Sequence, residues 1–171
     1  MSLDYLAIGH LTIDHTPQGL IAGGSVAYAS RTAGLLGMKA GIVTAASDAI
    51  NWDHHLPGVE VARCGCRETT TFENVYYTDK RPQRLLALAD PVPVAAVPRA
   101  WVNSPIVHLA PVANEISGEF PDMFTQSLIG LTPQGLFRYW DDSGIVSQGP
   151  WRGDDSLLRR CRVVILSSED I

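Results

Sequence analysis

The chain has 171 residues, 46% of them hydrophobic and 18% charged, which fits one globular domain with a substantial core and excludes disorder as its main state. A formal charge of −5 argues against a general binder of nucleic acid or of anionic membranes. No apolar run is long enough to span a bilayer, and the N-terminus lacks the basic and apolar regions of a signal peptide, so a cytoplasmic location is expected.

Tyr5–Ile8 and Gly41–Ala45 are short apolar runs without alternation, as expected for parallel strands covered on both faces. Between them, His10–Asp14 alternates, with Leu11 and Ile13 on one side and Thr12 and Asp14 on the other. Thr16-Pro17-Gln18-Gly19 has the chemistry of a turn, and Leu20–Ala22 is expected to return as a short strand. Asp14 is the first site candidate: a carboxylate can accept hydrogen bonds from two hydroxyls of a polyol. Gly23 and Gly24 follow; without Cβ they tolerate positive φ and let backbone approach a ligand closely. Ser25 is expected to cap a helix that places Val26, Ala29, Ala33 and Leu36 on one side and ends at Gly37. Strand, helix and strand in this order make a βαβ unit.

Asp48–Leu56 is expected to form a short helix and Val59–Arg63 a strand. Thr69–Tyr77, rich in β-branched and aromatic residues, is the clearest strand in the middle of the chain, and Gln83–Ala89 follows as another after a polar turn that contains Arg81. These pieces, with the segment around Leu11–Ala22, are expected to form a small antiparallel sheet apart from the main one. Pro91, Pro93 and Pro98 keep Asp90–Trp101 largely irregular. Ile106–Ala110 reads as a buried strand, with Asn114 and Glu115 beyond its carboxyl end, where open α/β sheets place their ligands. Glu115 is a site candidate on that ground and equally a carboxylate at a helix start. Gly118–Gln126 is expected to be helical with Phe120, Met123 and Phe124 inward, and Leu128–Thr132 to be a strand with Gln134–Arg138 on the ligand side. Asp141-Asp142 reads as a solvated turn, Leu157-Leu158 as part of a brief helix, and Val163–Leu166 as the last buried strand. Cys64, Cys66 and Cys161 match no disulfide or metal framework and read as reduced, partly buried thiols; His10 and His15 read as surface residues near the site.

An apolar strand ending near Gly9, then Asp14, Gly23-Gly24, a helix, Leu36-Gly37 and a strand reaching Asp48 resembles the ribokinase-like (PfkB) carbohydrate kinases. The resemblance implies an α/β fold: a mostly parallel sheet flanked by helices, with a small antiparallel β lid. On it, residues 1–171 form one incomplete domain, with lid strands from about 11–22 and 59–89. It implies that Asp14 holds substrate hydroxyls and that Gly23-Gly24 lies at the hinge between lid and sheet. Tyr28 stands where ribokinase has an asparagine, which leaves a sugar, a cyclitol or a nucleoside as the substrate. Asn74, Arg81 and Gln83 are polar candidates on the lid. Glu169 and Asp170 fall where the family carries an acid associated with phosphate and Mg2+, and ATP with Mg2+ is the implied donor system. The family's Gly-Ala-Gly-Asp motif, which supplies the catalytic base, does not occur here, nor does a phosphate loop or a G-x-G-x-x-G turn. No catalytic residue is therefore assigned within the chain, and the resemblance implies a base beyond Ile171. The chain is expected to be a truncated kinase, inactive by itself, which associates through its lid or an exposed sheet edge. A small-molecule binding module without phosphotransfer is the alternative; a nicotinamide oxidoreductase is disfavoured by the distance of the glycines from the first strand.

Overall fold

The computed structural model describes residues 2–17, 19–48, 50–74 and 83–168. Strands β1 (Tyr5–Ile8), β4 (Ala40–Ala46), β5 (Glu60–Gly65), β8 (Ile106–Leu109), β9 (Leu128–Leu131) and β12 (Val163–Val164) form one parallel sheet in the order β12-β9-β8-β1-β4-β5. A second sheet runs β3-β2-β6-β7, from β2 (Thr12–Thr16), β3 (Gly19–Gly23), β6 (Thr70–Asn74) and β7 (Gln83–Ala87). Its two antiparallel pairs, β2 with β3 and β6 with β7, meet along a parallel pairing of β2 with β6. Strands β10 (Arg138–Trp140) and β11 (Val146–Gln148) make a hairpin. Helices α1 (Ser25–Leu35), α2 (Trp52–His55), α3 (Phe120–Met123) and α4 (Asp155–Arg160) complete the elements. Among the described residues no helix is long and apolar enough to cross a membrane.

Burial follows the strand period. Leu6, Ile8, Val43 and Ala45 face a core that includes Leu109, Phe120, Phe124 and Leu157, whereas Ala7, Ile42 and Ala46 face Val26 and Ala27 of α1. All residues of β4 are buried, as its unbroken apolar run requires.

Several expectations are corrected. Ser25 is the first residue of α1 and not its cap; Gly24, at φ 93°, holds that place with no side-chain bond, and its carbonyl accepts from Ala27 N at 3.0 Å. The positive φ turns the chain into the helix one residue earlier than a serine cap would. The buried face of α1 is Val26, Ala27, Ser30 and Ala33; Leu36 lies beyond the helix end and is exposed, because Gly37 at φ 84° redirects the chain there. Strand β5, expected in the small sheet, is the edge of the large one, since it pairs with β4 from Gly41–Glu60 to Ala46–Gly65. Strand β12, expected to be buried, has Val163 43% exposed and Val164 41% exposed, because only β9 pairs with it.

His10 is no surface residue either: it is fully buried where the chain passes between the two sheets. Its Nε2 lies 2.9 Å from the Asp90 carbonyl and its Nδ1 2.7 Å from Thr70 Oγ1. A carbonyl only accepts, so Nε2 carries the hydrogen and, in the neutral ring, Nδ1 accepts from the threonine. Thr70 Oγ1 in turn accepts from Ala89 N at 3.1 Å. One imidazole thus ties the entry to β2, the start of β6 and the exit from β7. Replacing Thr70 by valine strands the Ala89 N–H and the His10 nitrogen in a buried place, so urea unfolding should show a loss of about 1–3 kcal/mol, mostly recovered by serine. A valine variant as stable as the parent would contradict this role.

Candidate functional site

A cleft of about 240 Å³ lies between the small sheet and the carboxyl ends of the main strands. Thr12, Asp14, Phe72 and Gln83 line it from the small sheet; Gly24, Ser25, Tyr28, Val112, Gln134 and Arg138 line it from the other side.

Asp14 sits on β2 between Ile21 of β3 and Phe72 of β6. A Cβ on Gly23 would stand 2.5 Å from Asp14 Oδ2 and 2.9 Å from Thr12 Oγ1. The carboxylate therefore occupies space that any other residue at 23 would fill. Burial pushes the Asp14 carboxyl above its ordinary value, while the Arg138 guanidinium and the Thr12 hydroxyl pull it part of the way back. Gly24 lies against the His10 carbonyl, leaving no room for a Cβ. Tyr28, in the first turn of α1 and 56% exposed, presents its ring at the cleft.

The other expected residues fare differently. Asn74 does not line the cleft; its Oδ1 accepts from Gln83 Nε2 at 3.0 Å, and Gln83 does line it. Glu115 is 3% exposed and turned inward: it accepts from His10 N at 2.7 Å, from Val112 N at 3.0 Å to each oxygen, and from Ala113 N at 2.7 Å. The tight loop after β8, with Asn114 at φ 61°, leaves the Val112 and Ala113 N–H groups without strand partners, and the carboxylate satisfies them together with that of His10, beyond β1. It is neither a ligand of the cleft nor a helix-start charge. Arg81, Glu169, Asp170 and Ile171, the residue beyond which the base is expected, lie outside the described residues.

Arg138 was not singled out as a candidate from the sequence. Its Nη1 donates to the Val112 carbonyl at 3.0 Å, and its Cζ lies 5.2 Å from the Phe72 ring centroid. Gly135 brings its segment close: a Cβ there would fall 2.5 Å from the Val112 carbonyl carbon, so only glycine lets the loops after β8 and β9 stack. The available signal was that glycine, in a segment already expected on the ligand side. A second concavity, of about 410 Å³, lies between Arg84–Leu88 and Trp140–Gly144. The Asp141 carboxylate beside it is engaged within its own turn, accepting from Ser143 N and Ile145 N at 3.0 Å each and from Ser143 Oγ at 2.7 Å. The first cleft, by contrast, is lined by a part-buried carboxylate, an arginine, two side-chain amides, three hydroxyl-bearing residues (Thr12, Ser25 and Tyr28) and two aromatic residues (Tyr28 and Phe72). That set can orient a small hydroxyl-bearing molecule.

No protein-family profile matches the chain, and no curated protein matches it by sequence. Solved structures do. A pyrophosphate-dependent kinase in the ribokinase family, complexed with a pyrophosphate analogue and myo-inositol, superposes with a TM-score of 0.80 at 21% identity, over 97% of this chain and 62% of that one. Arabidopsis thaliana ribokinase, complexed with ribose and ATP, gives 0.68 at 13% identity over 99% and 62%. Fructokinase from Xylella fastidiosa gives 0.64 at 14% identity over 98% and 60%. The chain thus spans about three fifths of the length of these kinases. Sheet order, the small second sheet and these superpositions together identify the ribokinase-like (PfkB) fold.

Proposed function

We propose that this chain carries the acceptor-binding part of a kinase that phosphorylates a hydroxyl of a sugar, cyclitol or nucleoside. The observation that carries this reading is the Asp14 carboxylate, seated over Gly23 and facing a ring-sized cleft between the two sheets. When ionised, Asp14 accepts from two hydroxyls and so fixes the orientation of a ring. Fixing two hydroxyls aims a third, and in-line phosphoryl transfer depends largely on such positioning. The small sheet covers the cleft, and its closure excludes water as a competing acceptor. Three free, part-buried cysteines suit a reducing compartment such as the cytoplasm.

The resemblance implies ATP with Mg2+ as donor. Two of the similar kinases differ here, one holding a pyrophosphate analogue and the other ATP, so both donors belong in the assay. The 171 residues lack the family's Gly-Ala-Gly-Asp base motif, which favours binding without turnover. Calorimetric titration with myo-inositol, ribose and adenosine should give saturable binding of at least one, and a coupled assay with either donor should give no acceptor-dependent turnover. Acceptor-dependent release of ADP or phosphate would overturn the second expectation; absence of binding by all three would overturn the first.

Two variants test the site itself. Gly23→Ala puts a methyl where the Asp14 carboxylate and the Thr12 hydroxyl now sit, so these side chains must turn aside; acceptor binding should weaken at least about tenfold, with little change in stability. Unchanged affinity would exclude Asp14 as the anchor. The pH dependence has a definite sign. The folded-state pKa of Asp14 is raised, so the native protein holds this proton more tightly than the unfolded chain does; that contribution to stability is present at acid pH and lost as pH rises through the raised value. Asp14→Asn should therefore be at least as stable as the parent at neutral pH, with the difference shrinking toward acid. Acceptor affinity of the parent should fall as pH drops through the same range, above that of an ordinary aspartate, and the asparagine variant should bind weakly without this dependence. Urea midpoints and titrations across about pH 3–7 report both.

A further inference from the structure

We infer that Cys64 and Cys66 are a redox-active pair, which a low-molecular-weight disulfide converts to a reversible Cys64–Cys66 bridge that loosens the passage from the main sheet to the small one. Cys64 lies near the end of β5, and Cys66 is the first residue beyond it. Both thiols are free. Strand alternation puts them on one face, where both pack against the same core as Ala62. The Cys64 thiol donates to the Thr44 carbonyl at 3.2 Å in a part-buried bond; the Cys66 thiol donates to the Glu68 carbonyl at 2.8 Å in an exposed one.

The residue between them carries the argument. Gly65 has no positive φ, pairs with Ala46 in the ladder, and a Cβ built on it would meet nothing within 4 Å. The strand as it stands therefore has no need of glycine there, unlike Gly24, where a Cβ would strike the His10 carbonyl. A bridge has that need. Residues i and i+2 of an extended strand have Cα atoms roughly 6.4–6.8 Å apart, at the far end of the roughly 4.4–6.8 Å that a disulfide spans. The chain must bend between the two cysteines, and glycine bends most freely. Among the described residues β5 pairs with β4 alone, so the bend disturbs no second neighbour.

The exposed Cys66 reacts first. Its thiolate attacks one sulfur of the oxidant and expels the other as a thiolate, leaving a mixed disulfide. Burial pushes the Cys64 thiol above its ordinary value, which suits it to the second step. There it gives up its proton to solvent, attacks the Cys66 sulfur and expels the second thiolate. Two electrons pass from the cysteines to the oxidant, whose two thiolates take up the protons. A bridge strained in this way is readily reduced. Its closure takes Cys66 off Glu68 and Cys64 off Thr44. The next two residues anchor β6: Thr69 Oγ1 accepts from Ser47 N at 3.0 Å, and Thr70 Oγ1 lies 2.7 Å from His10 Nδ1.

The test equilibrates the unaltered chain, Cys161→Ser, Cys64→Ser and Gly65→Val in glutathione buffers of graded ratio. Trapped thiols are read by peptide mass mapping, and hydrogen exchange is followed in parallel. The unaltered chain and Cys161→Ser should form a link within the peptide holding residues 64 and 66, reversed by dithiothreitol, and β6 amides should then exchange at least about threefold faster. Cys64→Ser should stop at a glutathione adduct of Cys66. Gly65→Val should fold as stably as the parent yet need a buffer at least about tenfold more oxidising to form the link; Gly65→Ala replaces it if valine disturbs folding. A glutathione adduct alone in the unaltered chain, a link through Cys161, equally ready closure without glycine, or unchanged β6 exchange would each overturn the inference. No acceptor enters these measurements, so their outcome is independent of the acceptor reading.

Discussion

The hydrogen bonds gathered around His10 hold the two sheets in the relation on which the cleft depends. The imidazole joins Thr70 to the Asp90 carbonyl, its backbone N–H is taken by Glu115, and its carbonyl abuts Gly24. Each passage of the chain between the sheets comes within reach of this residue or of a group bonded to it. A fully buried polar cluster of this kind is favourable only if every member is satisfied, and here the threonine hydroxyl both donates and accepts. Such a cluster fixes where β2 leaves the main sheet. Asp14, four residues along, inherits that position.

From this follows the division of labour among the acidic residues. Glu115 and Asp14 both lie close to strand ends, yet one closes a loop and the other faces the cleft. The difference is the supply of local donors. Around Glu115 the irregular backbone after β8 offers the Val112 and Ala113 N–H groups, and the segment after β1 offers that of His10. Asp14 lies in a strand whose own N–H groups serve the ladder, so its carboxylate has the Thr12 hydroxyl, the nearby Arg138 charge and the open cleft. A carboxylate already surrounded by amides has little left for a ligand. One held by a single hydroxyl has capacity to spare.

How much of this was legible in the sequence follows the range of the interactions. The first βαβ unit was, because β1, α1 and β4 are set by local hydrophobic pattern and by Gly37, and Asp14 and the glycine pair were found with it. Strand β6 was recognised from its threonines and aromatics. The sheet to which β5 belongs was not, since its half-buried alternation suits either sheet and only its pairing with β4 decides. Nor was the inward turn of Glu115, which depends on the φ of Asn114, nor the burial of His10, which depends on partners 60 and 80 residues away. Arg138 escaped notice for the same reason: its place in the cleft comes from the stacking of Gly135 on Val112, a contact between two distant loops.

The most direct test of the account is a crystal structure of the chain grown with myo-inositol. The account predicts one ring in the cleft between the sheets, with two hydroxyls within about 2.6–3.2 Å of the Asp14 carboxylate and Tyr28 alongside. A ring bound elsewhere, for example in the concavity beside Trp140–Gly144, with Asp14 bonded to Thr12 alone, would contradict it.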